Sequence, residues 1–148
     1  MDVEGLLKEE DAGWNELTAL FEQVPGERFE EPTVTVEGWS AKDLMFHVVA
    51  WLDEASEVLD RERAGVSDPE GLDTDAKNAH FLEISRALDS EDVRSRLEPS
   101  RDRMLRCWAA LDAPTPNAWE WVNESGPRHY AEHVKDLRSR IEQGWTVG

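Results

Sequence analysis

Apolar residues recur at three- and four-residue intervals through most of the chain, the period of helices that bury one face. The first stripe is Leu6, Leu7, Trp14, Leu17, Leu20, Phe21 and Val24, and Pro25-Gly26 ends it. A second runs Leu44, Val48, Trp51, Ala55, Val58 and Leu59. Its start is well marked: Ser40 is a good N-cap, Asp43 three residues on completes a capping box, and Trp39 and Leu44 stand at hydrophobic-staple positions. A third element begins near Thr74 and carries Ala79, Leu82, Leu88, Val93, Leu97, Met104, Leu105, Trp108 and Leu111. Two interruptions are expected in it, a fresh cap at Asp89-Ser90 and a kink at Pro99, which has no backbone donor. Pro114 and Pro116 close this element, and the stretch that follows, with Trp119 and Trp121, reads as a loop. Ser125-Gly126-Pro127 opens the last helix, proline being favoured at the first helical position. Its stripe is Tyr130, Val134, Leu137 and Ile141, and it stops at Gly144.

The connections are as informative as the helices. Arg28 to Glu37 holds Pro32 and the alternating Thr33-Val34-Thr35-Val36, which we read as an extended crossover because no later segment offers a strand partner. Gly65 to Gly71, with Pro69, reads as a loop. Four helical units with two long connections predict an all-α fold, a four-helix bundle with long crossovers. At 148 residues, residues 1–148 form most simply one domain.

Charge narrows the partners. Thirty-three acidic against 16 basic residues give a net charge of −17, so nucleic acid is repelled. No apolar run is long enough to span a bilayer, and the acidic Met-Asp-Val-Glu-Gly start does not resemble a secretory signal. A cytoplasmic protein with a small-molecule partner, no nucleic acid and no membrane is expected. The single cysteine, Cys107, beside Trp108, reads as a small buried hydrophobe, since no basic cluster is placed to activate it.

The candidate chemistry lies in the histidines. His47 flanks the second stripe, near the angular position of Trp51 and Val58, and His129 and His133 are one turn apart on the flank of the last. Three imidazoles that converge can hold a metal and leave a coordination position open. Their donor type favours zinc, nickel, copper or iron over magnesium and calcium. Asp43 and Glu54, one turn before and two turns after His47, and Asp136, one turn beyond His133, are candidates to orient the imidazoles. Glu132 points elsewhere on the helical wheel, and His80, beside Phe81, reads as structural. The alternative is three partly exposed histidines with ordinary hydrogen-bond partners. Trp119, Trp121 and Trp145 could wall a pocket or seal a helix end. No phosphate-cradling loop, nucleophile elbow or His-Glu-x-x-His is present.

The segment Gly38-Trp-Ser-Ala-Lys-Asp-Leu-Met-Phe-His47-Val-Val-Ala-Trp51 resembles the second-helix motif of the DinB/YfiT-like superfamily, and His129-Tyr-Ala-Glu-His133-Val-Lys-Asp-Leu-Arg138 resembles its last helix. Within it the chain is most similar to the N-terminal domain of mycothiol-dependent maleylpyruvate isomerases and to ClbS/DfsB-type bundles. The resemblance implies a four-helix bundle whose divalent metal (zinc, nickel or iron) is held by His47, His129 and His133. It further implies thiol transfer or thiol-dependent isomerisation with a low-molecular-weight thiol such as mycothiol, and in some relatives self-resistance to reactive natural products. Relatives of this shape often form homodimers.

Two functional readings follow. One is a metal-dependent thiol transferase or isomerase acting on a small electrophile, with Asp43 or Glu54 orienting His47 and the substrate between the second and last helices. The other is a non-catalytic bundle that binds or sequesters a small apolar molecule.

Overall fold

The computed structural model describes residues 1–66 and 68–145. Four long helices make the bundle: α1 (Val3–Glu22), α2 (Ala41–Arg63), α4 (Ser90–Ala109) and α6 (Pro127–Gln143). Two shorter ones, α3 (Thr74–Ala87) and α5 (Pro116–Ser125), lie in the second and third connections. No strand occurs among the described residues, and the first crossover contains a 3-10 turn at Gly26–Arg28. The expected all-α four-helix bundle with crossovers is therefore the observed fold.

Local chemistry explains where the helices start. Asp2, Ser40, Asp73, Asp89 and Thr115 each accept a backbone N–H of the following first turn. At Ser40 the capping box is complete: Ser40 Oγ accepts from Asp43 N at 3.1 Å and Asp43 Oδ2 accepts from Ser40 N at 2.9 Å. The expected fresh cap at Asp89 is present.

Helix α2 is the centre of the molecule, packed by α3, α4, α5 and α6. Its buried surface is wider than one stripe. Met45, Val49 and Leu52 are buried together with Leu44, Val48, Ala55, Val58 and Leu59. A helix apolar on most of its circumference has neighbours on most sides, and each buried Val, Leu or Met there contributes roughly 1.5–3 kcal/mol of burial. The crossover is pinned to this core by Phe29 and Val34, both buried. Backbone bonds Lys42 N to Phe29 O and Val34 N to Trp39 O, each 2.9 Å, fix its return.

Two expectations are corrected. Helix α4 runs without interruption through Pro99. Proline removes one hydrogen bond there, and Val93, Leu97, Met104 and Trp108, all buried, hold the turns on either side. The stretch carrying Trp119 and Trp121 is not a loop but helix α5, capped by Thr115 with Pro116 in its first turn.

Helices α5 and α6 meet at Gly126 with no residue to spare. A Cβ there would lie 2.7 Å from the Val122 carbonyl oxygen, so only glycine fits. That junction sets where His129 begins its turn of α6. Among the described residues no helix is long and apolar enough to cross a membrane.

Candidate metal centre

The three histidines converge. His47 arrives from α2, and His129 and His133 from successive turns of α6. His47 Nδ1 lies 2.9 Å from His129 Nε2 and 3.0 Å from His133 Nε2, and the last two are 2.8 Å apart. The nitrogens thus form a nearly equilateral triangle. His129 and His133 are buried, and His47 is partly so, with its outer edge at a cavity.

What lies on the far side of each ring decides the protonation. His47 Nε2 is 2.8 Å from Asn78 Oδ1, which only accepts, and 3.2 Å from Trp51 Nε1; the shorter contact to the carbonyl oxygen favours the tautomer with the proton on Nε2 and the Nδ1 lone pair inward. Trp51 Nε1 donates to the same oxygen at 2.9 Å, so Asn78 Oδ1 receives both N–H groups. His133 Nδ1 lies 3.2 Å from the Asp136 carboxylate, which places its proton outward as well. His129 Nδ1 is buried without a well-formed hydrogen bond, but the Ser125 backbone favours a proton on that ring. Placing His129's proton on Nδ1 leaves three lone pairs facing one point. Three converging lone pairs repel one another unless a cation sits between them.

Two of the imidazoles, His47 and His129, are kept neutral. Burial pushes His47 down from the ordinary 6.5 to about 4, helped by the charge of His133 and opposed by Asn78. Burial lowers His129 well below its usual range, with further contributions from His133 and His47. Neutral rings are the ligand form. In the metal-free protein this has a cost in acid. Above pH 6.5 both folded and unfolded chains carry these rings uncharged; below it the unfolded chain takes up protons that the folded one refuses. Stability of chelator-treated protein should therefore fall as pH drops from about 6.5 towards 4. Thermal melts across that range check this, and a His47→Leu/His129→Leu variant should show a shallower slope. An equal slope in both proteins would contradict the assignment.

The cavity beside the triad has a volume of about 500 Å³ and is walled by α2, α3, α5 and α6. Trp51 and Trp121 lie side by side in its lining, with ring centroids 6.3 Å apart. A space of this size with aromatic walls and a few convergent polar groups is the usual form of a small-molecule site.

The family model for the mycothiol maleylpyruvate isomerase N-terminal domain matches residues 11–147. The chain belongs to that family, a DinB-like domain. Among solved structures it is similar to the crystal structure of TT2238, a four-helix bundle protein. That likeness has a TM-score of 0.65 and 22% identity, and covers 92% of this chain and 98% of the other. It speaks for the fold. No curated protein matches the chain by sequence.

Among the residues singled out from the sequence, the structure brings His47, His129, His133 and Asp136 together. Asp43 and Glu54 are engaged elsewhere. Asp43 completes the α2 cap and accepts from Ser85 Oγ at 2.8 Å. Glu54 pairs with Lys77 at 3.0 Å. The group bonded to His47 is instead Asn78, which no sequence signal marks. Glu132, expected to point away, is exposed but lines the cavity. Trp121 walls the cavity, whereas Trp119 Nε1 donates to the Asp2 carbonyl at 3.2 Å and holds the N-terminus. Trp39 stands edge-on to His47, with centroids 5.0 Å apart. His80 is exposed beside Phe81. Cys107 donates to Asp60 at 3.3 Å, and burial followed by that carboxylate raises its pKa, which disfavours a thiolate.

Proposed function

We propose that His47, His129 and His133 hold a divalent metal ion, zinc, nickel or iron, and that the protein is a thiol-dependent transferase or isomerase of small electrophiles. The observation that carries this reading is the triangle of imidazole nitrogens. Nitrogens 2.8–3.0 Å from one another are close enough that all three would ligate one ion at the usual bond length of about 2.0–2.1 Å. The donor set is all imidazole, which suits zinc, nickel and iron. The outward partners also fit: Asp136 and Asn78 receive the second N–H of two rings, as ligating histidines require.

A divalent ion at this place supplies thiol acidification and carbonyl polarisation. The chain's own residues do the rest. Asn78 and Asp136 hold two imidazoles in the ligand tautomer, burial keeps His47 and His129 unprotonated, and Trp51 and Trp121 give an apolar wall against which a small electrophile packs. Family membership supports a low-molecular-weight thiol such as mycothiol as co-substrate.

Asn78 is a positioning residue in this account. Asn78→Leu should weaken metal binding about 10–100-fold, measured by competition with a chromophoric chelator. Asn78→Asp, which keeps an acceptor oxygen, should retain most of the affinity. Equal affinity in wild type and Asn78→Leu would remove the role. The reading as a whole is tested by turnover of model electrophiles with thiols, using metal-free, metal-reloaded and His47→Ala protein. Activity should follow the metal and vanish in the variant. Conversion that persists without metal and in His47→Ala would contradict it.

A further inference from the structure

The cavity beside the triad has a charge character of its own. Among the described residues no lysine or arginine lines it, whereas Glu120, Glu124 and Glu132 do. Glu124 is matched by Arg128 at 2.8 Å. Glu120 and Glu132 have neither ion pair nor hydrogen bond among the described residues. The nearby cation Lys77 is already held by Glu54. The aromatic wall is independent of these carboxylates: the indoles of Trp51 and Trp121 border the same space, tilted 33° to each other. His129, buried and with Nδ1 lacking a well-formed hydrogen bond, lines it too.

We propose that this cavity admits organic cations, small apolar or aromatic molecules carrying an ammonium group, and rejects organic anions of the same shape. Indole faces attract ammonium groups. Unpaired carboxylates at the rim raise the local concentration of cations. An organic carboxylate or sulfonate would meet no lysine or arginine on the walls. The substrate class thus assigned rests on the cavity's being the substrate site of the proposed function.

The test uses the full chain, zinc-loaded and metal-stripped, with benzyltrimethylammonium and benzenesulfonate as probes, both poor metal ligands. Tryptophan fluorescence and calorimetry report binding, and zinc content is read on the same samples. The cation should bind at least about tenfold more tightly than the anion in the metal-stripped form, by a smaller ratio in the zinc-loaded form because the ion's charge opposes it, and less tightly in about 0.5 M salt. Glu120→Gln/Glu132→Gln, at two exposed positions that leave the core intact, should weaken cation binding about tenfold. Equal or tighter binding of the sulfonate, cation binding unchanged in the double variant, or no cation binding would each overturn the inference. Cation preference without zinc uptake would leave this inference standing and remove the metal reading; zinc uptake without cation preference would do the reverse.

Discussion

Glu10→Ala should destabilise the protein by about 3–5 kcal/mol, the range for removing one partner of a buried ion pair. Glu10 is 1% exposed and receives three hydrogen bonds. Arg101 grips it with two nitrogens, at 2.8 and 2.6 Å, and the Tyr130 hydroxyl donates at 2.9 Å. The arginine is held in its charged form, above all by its bond to Glu10. The burial of Tyr130 disfavours its ionisation, so the phenol stays a donor. Truncation would leave a guanidinium whose remaining carboxylate partner is the exposed Asp11, 3.2 Å away, and a phenol with no acceptor. Chemical denaturation measures the loss. Glu10→Ala/Arg101→Met should recover part of it, because the orphaned charge is then gone. A single variant within 1 kcal/mol of wild type would show that the pair contributes little. Because Tyr130 neighbours His129 on α6, this knot also anchors the helix that carries two of the three imidazoles.

The second large effect has opposite signs with and without metal. His129→Leu removes one of three converging lone pairs and a buried nitrogen lacking a well-formed bond. The metal-free variant should be at least as stable as metal-free wild type at pH 7. Added zinc should stabilise the wild type by about 4 kcal/mol at a thousandfold excess over the dissociation constant, and should leave the variant unchanged. Thermal melts with and without zinc supply all four values. A variant that gains as much as wild type from zinc would place the ion elsewhere. A metal-free variant much less stable than wild type would mean that the triad is a structural hydrogen-bond cluster, the alternative the sequence left open.

Much of this was legible because it is periodic or short-range. The stripes from Leu6, Leu44 and Tyr130 and the caps at Ser40 and Asp89 follow from helix geometry and local donors. The convergence of His47 with His129 and His133 needed one further step: helices flanked by histidines on stripes that face a common core. The misses have physical causes. Asn78 shares α3's inward face with the buried Phe81 and Ser85, but two of those three are polar, so the apolar pattern pointed instead to Ala79, which is exposed. Glu10 hides in a stripe at the position between Leu6 and Trp14; its phase was the available signal, and its partner lies 91 residues away. Helix α5 was obscured by prolines, although Thr115-Pro116 is a proper cap and first turn and Ala118 and Val122 give a buried pair four residues apart. The wheel angle of Glu132 separates it from the histidine face of α6, whereas the cavity that it lines is completed by three other helices.

The central claim is that three converging imidazoles form one ion site. Its most direct test is metal content by mass spectrometry on tag-free protein, before and after incubation with zinc, nickel and iron(II), beside His47→Ala. Close to one ion per chain in the wild type, and none retained in the variant, is the predicted result. Metal absent from both after loading, or retained equally by both, would contradict it.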